Sequence, residues 1–450
     1  MSTTTLSWRG ILRLSLVQTA IGAVVVLTTS TMNRIMVLEL ALPALLPGAL
    51  VALHYAVQMC RPRMGHGSDL GGRRTPWIVG GMGLLAFGGV LAGCATSLMA
   101  THFTAGVVLA ILGFLLLGLG AGAAGTSLLV LMAAIVEPRK RAPAATAMWT
   151  MMIAGFAVTG GIAGHFLDPY SPGRLVRVTC AVAALAFVLA LTAIWGIERR
   201  HTGPAAARLA VTPQPTVRFF NAMAQVWKEP EARAFTIFIF FSMLAYSAQE
   251  LMLEPFAGLV FGLTPGESTR LSGMQNGSVL VGMLLIGAAA GTVRGRQIVS
   301  LRVWTMAGCI ASAAALLAIA VCGQGGSLAQ FQLCVAALGV ANGAFAISAI
   351  ASMMELGGRG NNGRDGLRIG LWGAAQAVAF AFGGFSGALC VDVARALQIT
   401  AASSYALVLA IQAGMFVIAA GFAAKVGRRH EPQDREALAA IPAAGVGQGG

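Results

Sequence analysis

The residues that could do chemistry here are few and stand out against long apolar runs. Gln249, Glu250 and Glu254 lie within one such run, followed by Pro255. A carboxylate placed in hydrocarbon is costly, and marks a path for ions, protons or substrate, or a partner of opposite charge. An earlier run ends in Thr31-Met32-Asn33-Arg34, with Glu39 shortly after. His54 is the one histidine deep in an apolar run, where a neutral imidazole serves either as a metal ligand or as a hydrogen-bond partner for a neighbouring helix. Asn276, Asn342 and Gln376 are further polar groups in apolar surroundings, and Trp372 is an aromatic beside Gln376. No catalytic set accompanies them. There is no P-loop, no HExxH and no grouped His/Cys/acid constellation, and the glycine-rich stretch 357–363 follows no strand. The seven cysteines include no CxxC pair, so neither a disulfide framework nor a zinc site is expected. An enzyme is not expected.

These groups must be positioned by helices in lipid. Of 450 residues 57% are hydrophobic and 10% charged, against about 25% charged in soluble domains. Apolar segments, each near the roughly 20 residues a span requires, fall at 12–32, 41–60, 77–99, 104–134, 147–167, 177–197, 234–262, 271–293, 303–323, 328–354, 369–391 and 402–424. The expected architecture is an all-α membrane protein of about 12 transmembrane helices in two six-helix halves. The halves would be 12–197 and 234–424, joined by a linker, 198–233, and followed by a disordered tail, 425–450. Within the linker, Val217, Phe220, Ala224 and Trp227 recur at helical spacing, as in a helix lying on a membrane surface.

The net charge of +14 would point to nucleic acid in a soluble chain; here its placement sets orientation instead. With the N-terminus in the cytoplasm, all but five of the 30 basic residues fall on cytoplasmic segments; the exceptions are Arg34, Arg174, Arg177, Arg270 and Arg395. Both termini are therefore expected in the cytoplasm, in a bacterial inner or intracytoplasmic membrane.

Between the second and third segments runs Gly65-His66-Gly67-Ser68-Asp69-Leu70-Gly71-Gly72-Arg73-Arg74. Gly65, Asp69, Gly72, Arg73 and Arg74 resemble the loop motif of the major facilitator superfamily; Leu70 departs from it where a cation is usual. The resemblance implies the major facilitator fold, with this loop acting as a conformational latch. In such a pseudo-twofold fold the first and seventh helices face each other. The register of Leu42-Pro43 against Thr264-Pro265 then brings Glu254 to the depth of Arg34. Asn33, Arg34, Glu39, Glu250 and Glu254 form a candidate periplasmic gate, with an Arg34–Glu254 bridge as one reading and separate snorkelling to the interface as the other.

Three further stretches, Asn33-Arg34-x-Met36-x-x-Glu39, Gln249 to Phe256, and Gly370-Leu371-Trp372-Gly373-Ala374-Ala375-Gln376-Ala377, are similar to the PucC/LhaA family over roughly residues 10–425. That resemblance implies photosynthesis: binding or delivery of bacteriochlorophyll as cargo, with no covalent cofactor, to light-harvesting apoproteins or from pigment-synthesis enzymes. Candidate pigment-binding residues are His54, Gln249, Trp372 and Gln376, with His54 the candidate ligand of the pigment magnesium. Glycines four apart, such as Gly118/Gly122, Gly160/Gly164 and Gly273/Gly277, serve either as ring-packing surfaces or as ordinary helix seams. The alternative function is a proton-coupled secondary transporter of a lipophilic small molecule, with Glu250 and Glu254 as coupling carboxylates.

Overall fold

A computed structural model describes residues 6–61, 73–137, 140–198, 227–289, 292–293, 296–297, 300–358 and 365–425. In a bilayer every backbone N–H and C=O must be satisfied within the segment, and the chain does this with helices. They are α1 (Trp8–Glu39), α2 (Leu45–Cys60), α3 (Thr75–Met99), α4 (Phe103–Ile135), α5 (Arg141–Leu167) and α6 (Pro172–Ile194) in the first half. The second half holds α7 (Pro230–Phe261), α8 (Pro265–Ala289), α9 (Leu301–Cys322), α10 (Leu328–Gly358), α11 (Asp365–Ala396) and α12 (Ala401–Ala423). Ten helices among the described residues are long and apolar enough to cross a membrane; the chain is a multi-pass membrane protein. The other two are α2, which is short, and α8, whose first turns carry Glu267 and Arg270. A two-residue antiparallel ladder pairs Thr292 with Gln297 and Val293 with Arg296 after α8.

Local signals set the helix ends. Proline opens α3, α6 and α7, where its missing N–H costs nothing. Ser171 and Ser300 cap α6 and α9 by accepting from Arg174 N and Val303 N. Gly262 ends α7 in the left-handed conformation, φ 69°, which spares a side-chain clash. Because α7 begins at Pro230, it takes in the last residues of the segment expected as linker. Residues 199–226 of that linker, with Val217, Phe220 and Ala224, and the tail beyond Lys425 lie outside the described residues.

Within the first half, Arg13 of α1 donates to Thr192 O and Trp195 O at 2.8 and 2.7 Å, neutralising the negative end of α6. Just beyond, Glu198 accepts from Arg74 N and Thr75 N and caps α3. The two halves meet along two seams, α5 on α8 and α2 on α11. A Cβ on Gly160 would come within 2.8 Å of the Gly273 backbone, so these helices touch through their main chains. In the other seam a Cβ on Gly48 of α2 would meet the Ala388 side chain of α11 at 2.7 Å.

α1 is irregular. Two π-helical turns, Leu27–Thr31 and Ile35–Glu39, flank the short α-helical piece Met32–Arg34. Its buried polar run, Thr28 to Thr31 with Asn33 and Arg34, faces α7 and α8.

Candidate functional site

Two structures occupy the space between the halves: a cavity toward the face where α1 begins and α12 ends, and a seal toward the opposite face. The cavity and its open mouth together hold about 1680 Å³ free of protein atoms. Its walls are mostly aliphatic and aromatic and come from the α1, α2, α4, α5, α7, α8, α10 and α11 segments nearer the terminal face. Tyr55 and Tyr246 flank Phe380, with ring centroids 4.9 and 6.1 Å from it. The polar groups on the wall are Glu250, Gln376, Gln18, His54, Gln58 and, at the rim, Arg61.

These residues are not equally free to bind. His54 is held by Gln58, one turn on: Gln58 Nε2 lies 2.9 Å from His54 Nε2, and Arg61 donates to Gln58 Oε1. With Oε1 accepting from Arg61, the Gln58 amide must donate to the imidazole, so the Nε2 lone pair is in use and the proton sits on Nδ1. Ligation of magnesium by Nε2 would first require Gln58 to leave. Gln376 makes one weak contact among the described residues, Nε2 to Met243 Sδ at 3.9 Å, which leaves its carbonyl oxygen free of any hydrogen bond there. Glu250 stands half-buried on the wall and forms no ion pair among the described residues.

Two expected pigment contacts lie elsewhere. Trp372 is 1% exposed and packs edge-on against Phe235, centroids 4.8 Å apart; it belongs to the second half's core and not to the cavity wall. The tryptophan facing the cavity is Trp149 of α5. Gln249 is buried between helices, with both amide atoms unpartnered. The α-helical period explains Gln249, which points about 100° away from Glu250, but not Trp372, which shares a helix face with Gln376 and meets the core where Gln376 meets the cavity. Tyr55, Tyr246 and Trp149 were missed, yet the chain has four tyrosines and two of them sit mid-span, which is a readable signal.

The seal joins the halves through buried polar contacts. Thr31 Oγ1 and Thr269 Oγ1 are 3.0 Å apart, and Asn33 Nδ2 donates to Leu251 O at 2.7 Å. Arg34 donates to Leu263 O at 2.5 Å and pairs with Glu39 at 2.6 Å. The Arg34–Glu254 bridge expected from register is thus replaced by Arg34–Glu39. The guanidinium lies over Gly258, one turn beyond Glu254, and turns outward to the acid at the membrane face. Glu254 is buried with neither oxygen within 3.5 Å of a well-aligned donor, although the Ser272 and Thr269 hydroxyls and the Arg34 charge stand close enough to act on it. Tyr170, just past α5, neighbours the Arg34–Glu39 pair; burial and the Glu39 charge raise its pKa above the ordinary phenol value, against the pull of Arg34.

Two carboxylates complete the seal, and sequence reasoning found neither. Asp168, at the end of α5, accepts from Thr264 Oγ1 at 2.8 Å and Gly266 N at 3.2 Å, and pairs with Arg270 at 3.1 Å. It therefore caps α8 in the other half. Asp392, near the end of α11, accepts from Ala44 N at 3.1 Å and Leu45 N at 2.7 Å, capping α2. Helices α5 and α11 are equivalent in the two halves, as are α2 and α8, so each half supplies one carboxylate and one helix N-terminus. Such ends favour negative charge. Gly266 is required here, because a Cβ would fall onto the Asp168 carboxylate.

Of the expected latch, Gly65, Asp69 and Gly72 lie outside the described residues, while Arg73 and Arg74 precede α3. The glycine pairs serve as helix seams where they touch anything: Gly118 meets the His54 carbonyl of α2, and Gly160, Gly164 and Gly273 join α5 to α8.

Comparison with known proteins adds the family. The profile described as "PUCC protein" matches residues 31–431. The chain is 51% identical over 425 residues to the "Bacteriochlorophyll synthase 44.5 kDa chain" of Rhodobacter capsulatus, covering 94% of this chain and 96% of that one. It is 29% identical to "Protein PucC" of Cereibacter sphaeroides, covering 91% and 90%. Among solved structures, a D-xylose–proton symporter superposes with a TM-score of 0.67 at 14% identity, covering 92% and 96%; a bacterial homologue of the lysosomal transporter Spinster gives 0.64, also at 14%, covering 92% and 95%. At that identity the likeness shows the fold, which is of the major facilitator type.

Proposed function

The chain belongs to the PUCC family, and from that premise we propose that it takes bacteriochlorophyll into the cavity between its halves and hands it on during assembly of light-harvesting complexes. The observation that carries this reading is the lining of the cavity: open-mouthed, walled mainly by apolar and aromatic side chains from both halves, with a few oxygen-bearing groups. A macrocycle with a long hydrocarbon tail needs such walls. Its magnesium is a hard cation that prefers oxygen ligands. Glu250 and the Gln376 carbonyl are therefore better placed to ligate it than His54, whose lone pair Gln58 occupies. The names of the relatives, one a bacteriochlorophyll synthase chain and others PucC, support pigment as the cargo. We read the chain as a carrier and not an enzyme, and its partners as light-harvesting apoproteins or pigment-synthesis enzymes. The basic-residue asymmetry supports a cavity mouth open to the cytoplasm of a bacterial inner or intracytoplasmic membrane.

The test is an absorption spectrum of the protein purified in mild detergent from a pigment-producing host. A near-stoichiometric bacteriochlorophyll band that weakens in Glu250→Gln or Gln376→Leu supports capture in the cavity. No pigment, even in lipid nanodiscs, sinks it and favours a scaffold for apoproteins.

A second reading has its own observation, the buried Glu254 carboxylate with no well-aligned donor. It is what a proton-coupled transporter of a lipophilic small molecule would hold. That reading requires substrate uptake by the protein alone in liposomes, lost in Glu254→Gln; uptake that survives the change removes it.

A further inference from the structure

The turn joining α9 to α10 brings two thiols together on the face opposite the termini. Cys322 is the last residue of α9 and Cys334 lies in the second turn of α10; their Sγ atoms are 3.8 Å apart and both residues are half-buried. The turn is built to hold them there. Gly325 N and Gly326 N both donate to Cys322 O, at 3.3 and 2.7 Å, and Gly325 takes φ 154°, which a side chain would disfavour. On the other side Ser327 N donates to Gln330 Oε1 at 2.9 Å while Gln330 N donates to Ser327 Oγ at 3.3 Å, a reciprocal cap that fixes where α10 starts. Both helix ends are pinned with the thiols 3.8 Å apart, against the roughly 2.05 Å of an S–S bond.

We propose that Cys322 and Cys334 are a modification site, oxidised to a disulfide by a thiol oxidase of the compartment outside the cytoplasm. The inference does not depend on the cargo; it rests on the orientation given by the basic residues, which puts this turn where disulfides form and persist. The chemistry balances. The Cys322 thiol, beside the exposed Gln324, loses its proton and attacks the oxidase disulfide, forming a mixed disulfide and releasing one oxidase thiol. Cys334 then loses its proton and attacks the Cys322 sulfur, forming the intramolecular bond and releasing the second oxidase thiol. Two thiols are oxidised and one oxidase disulfide is reduced.

The bond would fasten a particular piece of the fold. Gly323, next to Cys322, packs directly on the Phe256 ring, which stacks among Phe261, Phe331 and Tyr405. Phe256 follows Glu254 and Pro255 in α7. A bridge between α9 and α10 therefore ties down the aromatic cap over the end of α7 that joins the seal.

The test counts thiols in acid-quenched membranes from intact cells, denatured and alkylated with N-ethylmaleimide, by intact mass. All but two of the seven cysteines react before reduction and all seven after. In Cys322→Ser every remaining cysteine reacts without reductant, whereas Cys390→Ser keeps the reductant-dependent pair. Seven reactive thiols in the unreduced wild type overturn the proposal, as does a protected pair that survives Cys322→Ser. A Gln324→Cys variant probed with a membrane-impermeant maleimide on intact spheroplasts tells the two failures apart. Labelling there with Cys322 and Cys334 free means the orientation holds and the bridge does not form. No labelling means the face is cytoplasmic, which overturns the proposal at its premise.

Discussion

Asp168 and Asp392 give the sharpest prediction, because each carboxylate crosses from one half to the N-terminus of a helix in the other. Hydrogen bonds to a charged group contribute about 1.5–3 kcal/mol net. Asp392 accepts from two backbone donors, and Asp168 from a hydroxyl and a backbone N–H. The Asp168–Arg270 ion pair adds little, since Arg270 is 43% exposed and water screens it. Taking about 2 kcal/mol for each carboxylate, and adding them because they share no partner, the pair favours the sealed state by about 4 kcal/mol. At 1.4 kcal/mol per tenfold, that is nearly a thousandfold. A sealed state populated at about 99:1 would fall to about 1:10 in the double variant Asp168→Ala/Asp392→Ala. The assay is single-molecule energy transfer between fluorophores attached through noncanonical amino acids at Gly173, where α6 begins, and Gln324, in the α9–α10 turn; both positions are exposed on the sealed face. Each single variant should populate a longer distance modestly, and the double variant should make it dominant. An unchanged distance distribution in the double variant would refute their part in holding the seal closed and leave the two acids as helix caps only.

Other outcomes follow from the same geometry. Gly125 and Gly373 line the cavity, with open space where a Cβ would stand. Gly125→Phe or Gly373→Phe should therefore fold with a melting temperature near wild type while losing most copurifying pigment. Gly266→Ala should push the Asp168 carboxylate off α8 and cost about 1–3 kcal/mol of overpacking, read as a lower melting temperature and a more open distance distribution. Gln58→Ala frees the His54 lone pair, so if His54 is a latent magnesium ligand the pigment band shifts in Gln58→Ala and not in His54→Ala. Arg34→Ala leaves Leu263 O and Glu39 without their donor, an expected loss of about 1.5–3 kcal/mol, and it should destabilise the sealed state in the same assay.

Sequence alone went far on the frame and less far on the site, for physical reasons. Apolar run length is a one-dimensional signal, so the helices could be read from it. Arg34, Glu39 and Asn33 were readable as residues with buried partners, because polar groups in an apolar run are rare. Their actual partners were not, since Asn33 meets a carbonyl of α7 and Arg34 one just past its end, and backbone acceptors leave no mark in the sequence. The same holds for Asp168 and Asp392. Each stood at the edge of a span, where an acid is unremarkable, and each binds main-chain donors about a hundred or several hundred residues away. His54 with Gln58 was within reach, since residues four apart on a helix share a face. Trp372 and Gln376 share that spacing too, yet one went to the core and the other to the cavity, because in a bundle buried on most sides spacing does not say which neighbour a face meets.

The two π-helical turns of α1 bear on how motion passes along that helix. A π turn holds one residue more than an α turn, so relaxing one to ordinary spacing would rotate everything beyond it by about 100°. Gln18, Ile21 and Val25, which face the cavity, lie before the first such turn, and Asn33 and Arg34 lie after it. The outer end of the helix can thus turn its polar side chains relative to the seam while the inner end, with its cavity-facing residues, keeps its orientation.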